Sequence, residues 1–367
     1  MKINILSPGR FHVLDLAREL DKNGFDVRFY SFVPMKRAIK FGLPKRCSAS
    51  LFYAIAPFLA LNKLFKGAQW TTQLRIWVQD HLTALVMRRC DVLIAMSGDF
   101  ICAPLKAKRQ GSIIIMERGS KHILEQKRIL ESIPSLKGTK PVPDANVKRE
   151  LKCYEIADYI SVASLHVKRS FLKHKYPENK IFVNPYGVDL SMFHPRIIEK
   201  KYDVIMVGAW SYQKGADLVL DAIRQLKLQF LHVGTLVDVP FNEDEYCHHH
   251  DAVNQQELID YYNQAKIFIL PSRQEGLAMV QAQAIACNLP LIGSPNSGAE
   301  DLKKMVAHPE YITIIESYDV DSVIRAIHEA LKKYNQMSGI TYAGEAISNL
   351  TWDAYGKRYS AFLNGMR

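Results

Sequence analysis

The strongest constraint on how this chain folds is an alternation: short apolar runs follow one another from end to end, separated by amphipathic helical patterns. Parallel strands covered by helices on both faces read as continuous apolar runs, and each needs a crossover to the next. In the first half the runs are Ile3 to Leu6, Val27 to Tyr30, Val92 to Met96, Ile113 to Met116, Tyr159 to Val162 and Ile181 to Val183. A second series restarts at Val204 to Val207 and continues through Leu231 to Val233, Ile267 to Leu270, Leu291 to Ile292 and Ile312 to Ile315. An α/β fold with two parallel sheets follows. Between the series lies Asn184-Pro185-Tyr186-Gly187-Val188-Asp189, then Phe193-His194-Pro195, a turn-rich stretch that serves as a hinge. It divides a domain over residues 1–184 from one over 185–349.

A chain of 367 residues, 48% apolar, has enough core for two such domains. Its six cysteines are scattered, without the close spacing of a zinc or redox motif, so reduced thiols in a cytoplasmic protein are expected. The start, Met1 to Gly9, reads as a strand and turn and lacks the pattern of a signal peptide. The net charge of +11 is unevenly shared: 33 basic and 16 acidic residues up to position 197, against 15 and 21 beyond it. The basic half points to an anionic surface. Lys36, Arg37, Lys40, Lys45 and Arg46 precede the apolar run Leu51 to Leu61, which Lys63 and Lys66 follow. That run is too short to span a bilayer. Two readings of it stay open: a segment lying among anionic headgroups, and a core helix with solvated basic flanks.

Chemistry-bearing residues sit where strands run into helices. The first strand leads through Ser7-Pro8-Gly9-Arg10 into a helix with Val13, Leu16, Ala17 and Leu20 on one face. One glycine stands where dinucleotide fingerprints carry three, so NAD or FAD binding is not supported. In the second half, a strand ending at Gly208 is followed by Ala209 to Gln213, then Lys214-Gly215 and a helix. A lysine at the positive end of a helix gains most when it shares an anion with the helix amides. The strand Ile267 to Leu270 runs into Pro271-Ser272-Arg273-Gln274-Glu275, with a helix expected to start near Gly276-Leu277-Ala278. Gln283 falls eight residues after Glu275, ~12 Å along a helix axis. That span suits a diphosphate with a sugar at each end, the carboxylate taking donor-sugar hydroxyls and the amide the ribose.

In combination, Val207-Gly208 to Lys214-Gly215, Asn184 to Asp189, and Pro271 to Leu277 with Cys287-Asn288-Leu289-Pro290 resemble the family 4 glycosyltransferases. The resemblance covers nearly the whole chain. It implies a GT-B fold: two Rossmann-like domains facing a central cleft, the first binding acceptor and the second the nucleotide sugar. The segment 350–367 resembles the family's final helix, which crosses back onto the first domain. The resemblance also implies retention at the anomeric carbon, the nucleotide sugar as co-substrate, and no metal or other cofactor. Donor contacts are expected at Gly208, Lys214, Arg273, Glu275, Gly276, Leu277, Ala278 and Gln283, with Val253 near the base. Glu275, Lys214 and His122 are the catalytic candidates; Gly9, His12, Arg118 and His122 form the acceptor side. The chain departs from the family at Ala209, where arginine is common, and at Gln283, where glutamate is common. Arg273 is the candidate replacement cation.

Two other motifs invite a metal and do not support one. Adjacent residues in His248-His249-His250-Asp251 cannot easily converge on one ion, and the run reads as a loop leading to Val253. Asp319-Val320-Asp321 precedes a helical pattern and reads as a helix cap.

The expected activity is sugar transfer from a UDP- or GDP-linked donor to a glycolipid or surface-polysaccharide precursor, such as one for lipopolysaccharide, at the cytoplasmic membrane face. Partners are then the donor, a glycan or lipid-linked acceptor and an anionic membrane surface, with the protein cytoplasmic and peripheral on the inner face. Two alternatives keep the fold: a GT-B nucleotide-sugar epimerase and a non-catalytic scaffold subunit. Nucleic-acid binding leaves Lys214 and Glu275 without a role and is set aside.

Overall fold

The structure, a computed structural model, describes residues 1–65, 68–337, 341 and 344–366. Lys66 and Arg367, which belong to the basic flank and the terminal segment read from the sequence, lie outside the described residues. The first sheet has seven strands: β1 Lys2–Ser7, β2 Asp26–Ser31, β3 Ser48–Ser50, β4 Val92–Met96, β5 Ile113–Arg118, β6 Tyr159–Val162 and β7 Ile181–Val183. Their order is β3-β2-β1-β4-β5-β6-β7. The second has six: β8 Tyr202–Val207, β9 Phe230–Val233, β10 Cys247–His250, β11 Ala265–Ile269, β12 Leu291–Gly293 and β13 Ile312–Ile314, ordered β10-β9-β8-β11-β12-β13. Every pairing between these strands is parallel. Strand order reverses beside β1 in one sheet and beside β8 in the other, which opens a crevice at their carboxyl ends.

Central strands bury both faces: Ile3, Ile5, Val92, Ile94, Val204, Ile205, Ile267 and Phe268 are fully inaccessible. That double burial is why each reads as an apolar run. Two edge strands do not. β3 is Ser48-Ala49-Ser50, and β10 is Cys247 to His250, the run expected to be a loop. An edge strand pairs on one side only and presents part of its surface to solvent, so it needs no apolar run. Cys247 alone is fully buried in β10.

The two sheets are joined by the turn-rich segment after β7, and the terminal helix Trp352–Asn364 ties that segment down. Arg358 donates from Nε to Asn184 Oδ1 (2.7 Å) and from Nη2 to the Pro185 carbonyl (2.8 Å). The helix packs on His12–Lys22 of the first domain with Tyr355, Tyr359 and Leu363 buried. At Gly356 a Cβ would lie 2.4 Å from Glu19 Cβ, so only glycine allows that approach.

The run Leu51 to Leu61 lies mostly in the helix Phe52–Leu64, which packs against Gln69–Val86. It is not a core helix: Ile55 is buried, whereas Tyr53, Leu64, Phe65, Trp70, Trp77 and Leu85 on or beside this hairpin are exposed. Among the described residues no helix is long and apolar enough to cross a membrane.

Candidate functional site

The carboxyl ends of β8 and β9 bring two glycines together. Gly208 has φ +127°, and a Cβ at Gly234 would stand 1.9 Å from the Gly208 carbonyl. The same carbonyl accepts a 2.8 Å bond from His232 Nε2, so His232 carries its proton there and accepts at Nδ1 from His249 Nδ1 (2.9 Å). Burial pulls the His232 imidazole down to about 4, keeping it neutral. Above this support lies a cavity of about 210 Å³ walled by Gly208, Ala209, Gly234, Ala252 and Val253. Its walls are largely backbone and small apolar side chains, which suits an apolar ring system.

Lys214 closes a short 3₁₀ turn, Tyr212–Lys214, held by the Ser211 side chain; the helix Ala216–Leu226 begins only after Gly215. Gly215 has φ +76°, and a Cβ there would meet the Pro271 carbonyl at 2.6 Å. This approach sets Lys214 beside Glu275, with which it forms an ion pair. Burial pulls the Lys214 ammonium down to about 8.

The helix expected to start at Gly276 starts at Met279 and runs to Ala286. Gly276, Leu277 and Ala278 precede it because the carbonyls that would begin the helix point elsewhere. His166 Nε2 donates to the Glu275 carbonyl (3.0 Å), and Ser164 Oγ donates to that of Gly276 (3.0 Å). Both partners sit just after β6, in the first domain. Gly276 itself faces Gly119, whose carbonyl would be 2.0 Å from an added Cβ. Lys121 Nζ to Asn296 Oδ1 (2.8 Å), the Leu165 amide to Asp301 Oδ1 (2.9 Å) and Gln274 to Ser120 complete a polar seam between the domains. Sequence reasoning missed His166 and Ser164. Their position at a strand's carboxyl end was the available signal.

Arg273 does not serve as a free cation. Both of its terminal nitrogens engage Asp217 (2.6 and 2.8 Å), and Nη1 also donates to the Tyr212 carbonyl. It braces the Lys214 turn. Gln283 is buried, and its Oε1 accepts from Tyr262 Oη (3.0 Å). It lines a 430 Å³ cavity between the domains, together with Arg10, His12, Met279, Gln255 and Trp352.

On the first domain, Gly9 accepts from Ser7 Oγ (2.7 Å) in the turn after β1. His12 is buried. Its Nε2 contacts Glu117 Oε2 (3.0 Å), Tyr359 Oη donates to Glu117 Oε1 (2.7 Å), and its ring lies 4.2 Å from that of Tyr186. Arg118 is spent internally on Glu150, the Lys121 carbonyl and Gln126. It lines a separate 260 Å³ cavity with Asp99, whose carboxyl is pushed up to about 7 by burial and by Glu150. His122 is turned inward: it caps the helix Ile123–Glu131, stacks on His174 at 4.3 Å and contacts Tyr154 and Phe171. Burial and His174 pull it down to about 3, and it lines none of the three cavities described. Among the described residues no group of three or more His, Cys, Asp or Glu converges as metal ligands would.

Two parallel-sheet Rossmann-like domains facing a cleft define the GT-B class. Residues 201–333 match the family model for glycosyl transferases group 1, and the fold of the whole chain is that of solved GT-B structures. Over 244 residues it is 22% identical to a GDP-mannose-dependent alpha-(1-6)-phosphatidylinositol monomannoside mannosyltransferase of Mycolicibacterium smegmatis, covering 58% of this chain and 63% of that one. Over 216 residues it is 23% identical to a phosphatidylinositol N-acetylglucosaminyltransferase component of Arabidopsis thaliana, covering 54% and 47%. The chain thus spans less than two thirds of the length of these curated relatives. Among solved structures, Anabaena HepE in complex with UDP-glucose superposes with a TM-score of 0.70 at 12% identity over 100% of both chains. Sucrose-phosphate synthase from Thermosynechococcus elongatus gives 0.68 at 14%, over 100% of this chain and 99% of that one.

Proposed function

We propose that this chain is a retaining glycosyltransferase that moves a sugar from a nucleotide-diphosphate donor to a glycolipid or surface-polysaccharide precursor. The observation that carries the reading is the Lys214–Glu275 pair, which joins the loop after Gly208 to the loop leading into the helix Met279–Ala286. Within the pair the two charges neutralise each other. A diphosphate draws Lys214 to itself, adding to the amides of that helix start, and frees the Glu275 carboxylate for donor-sugar hydroxyls. Gln283, with Oε1 held by Tyr262, offers its amide N–H groups to the ribose.

The transfer needs no protein nucleophile and no metal. Lys214 and the helix amides stabilise charge developing on the leaving diphosphate. The acceptor hydroxyl attacks from the leaving-group side, and a phosphate oxygen takes its proton. The seam through Gly119, His166 and Gly276 excludes water while the sugar is transferred.

The acceptor side of the reading is supported by relatives whose names carry phosphatidylinositol substrates. It is also supported by the exposed Trp70, Trp77, Leu64 and Leu85 of the first domain beside an excess of basic residues. These features suit an anionic membrane surface on the cytoplasmic face. Neutralising Lys36, Arg37 and Lys40 together is expected to weaken sedimentation with anionic vesicles, and unchanged sedimentation would remove the membrane from the reading.

The donor is tested by thermal stabilisation with a panel of UDP-, GDP-, ADP- and CMP-sugars. One of them is expected to raise the melting temperature, because a ligand of the native state stabilises it. If none does, the donor reading fails.

A further inference from the structure

The cations of the second domain nearest the site are already engaged, Lys214 by Glu275 and Arg273 by Asp217. Only Lys214 can be released to a ligand without giving up a two-pronged ion pair. A nucleoside diphosphate brings two or more negative charges, so the cleft must draw positive charge from elsewhere. The first domain offers it at Arg10, directly after the β1 turn. Its Nη2 reaches across to Gln255 Oε1 of the second domain (2.9 Å). The guanidinium carbon lies 3.4 Å from the centroid of the Phe41 ring, which fixes the plane of the fork. Among the described residues no carboxylate lies within ion-pair distance of it, whereas neighbouring Arg18 is paired with both Asp15 and Glu19.

The cavity beside Arg10 is the one lined by Met279, the first residue of its helix, and by Gln283 one turn further on. Lys40 shares its wall. Gln255, which lines this cavity with Arg10 and Gln283, stands two residues past Val253 of the Gly208–Val253 pocket, so the chain leads directly from one cavity wall to the other. Gln255 is neutral and uses one of five guanidinium N–H groups; Asp15, also on the cavity wall, acts on the charge only from beyond ion-pair distance, which leaves the other donors for an anion.

We propose that Arg10 is a phosphate-binding residue of the nucleotide site: the first domain supplies a guanidinium to the diphosphate of a ligand whose nucleoside is held by the second. This rests on the nucleotide-sugar reading and adds to it. The ligand bridges the domains, and the fork keeps or exchanges its single contact with Gln255 as it meets the phosphates.

The test is calorimetric titration of the full chain with UDP and GDP, and with uridine and guanosine, for wild type, Arg10→Ala, Arg10→Lys and Gln255→Ala. For the diphosphate that binds wild type, Arg10→Ala is expected to weaken affinity about 10- to 100-fold, as for loss of a charge-assisted contact. Arg10→Lys should restore part of it, Gln255→Ala should cost less than about threefold, and nucleoside affinity should not follow the Arg10 change. Equal diphosphate affinity in wild type and Arg10→Ala overturns the assignment and leaves the donor reading standing. So does a Gln255→Ala loss as large as that of Arg10→Ala, since the arginine would then act only as a bridge between domains. If wild type binds neither UDP, GDP nor, in a wider panel, ADP or CDP, the nucleotide-sugar reading fails and this proposal with it.

Discussion

His166 Nε2 lies 3.0 Å from the carbonyl oxygen of Glu275, so a side chain of the first domain holds the backbone of the residue proposed to orient the donor sugar in the second. Beside it, Ser164 Oγ holds the Gly276 carbonyl at 3.0 Å, and Gly276 touches Gly119 with no room for a side chain. The donor loop is therefore shaped by both domains at once.

Gly276→Ala tests this dependence. A methyl group 2.0 Å from the Gly119 carbonyl cannot be accommodated without moving backbone, and the seam must part. The variant is expected to scatter X-rays as a more open particle and to lose about 10²-fold in transfer rate, the cost of misplacing reacting groups by about 1 Å. A variant as compact and active as wild type would show that the seam does not set the loop.

How far the sequence could be read is clear at particular residues. The double-sided burial of β1, β4, β8 and β11 printed itself as apolar runs, and Asp319 caps the helix Val320–Gln336 by accepting from the Ser322 amide at 2.8 Å. Local rules suffice for both. β3 and β10 escape because these two edge strands, unlike the edges β7 and β13, carry no apolar run. The start at Met279 could not be seen either, since it depends on His166 and Ser164, more than a hundred residues earlier. Arg273 looked like a free cation beside Glu275 because its partner, Asp217, is distant in sequence. Burial of His122 against Tyr154, Phe171 and His174 is likewise a tertiary fact.

Arg273 and Asp217 should therefore behave as a structural pair. Arg273→Ala is expected to destabilise the fold by about 1–3 kcal/mol, the range for stripping one partner from a partly buried charge-assisted pair. Adding Asp217→Ala should cost clearly less than the sum of the two single changes in a denaturation cycle. Full additivity would contradict the pairing.

Lys214 sets a pH dependence. In the free protein burial brings its ammonium down to about 8, and a bound diphosphate raises it again. Above about pH 8 the complex holds more protons than the free protein, so binding takes up a proton and affinity falls as pH rises, by at most about tenfold per unit. Below that pH lysine is charged in both states and affinity is flat with respect to it. Titration of a nucleoside diphosphate from about pH 6.5 to about pH 9.5 checks the sign. Lys214→Arg, charged throughout, should flatten the profile; a wild-type profile without this loss would show that Lys214 does not meet the phosphates.

The most direct measurement is release of nucleoside diphosphate from the nucleotide sugar that stabilises the protein, compared in wild type and Glu275→Ala alongside their affinities for the nucleoside diphosphate alone. Turnover is expected to be lower by at least about 100-fold in the variant, with diphosphate affinity equal to or tighter than that of wild type, because Lys214 is released from its partner. Equal turnover in the two proteins would contradict the proposed role of Glu275.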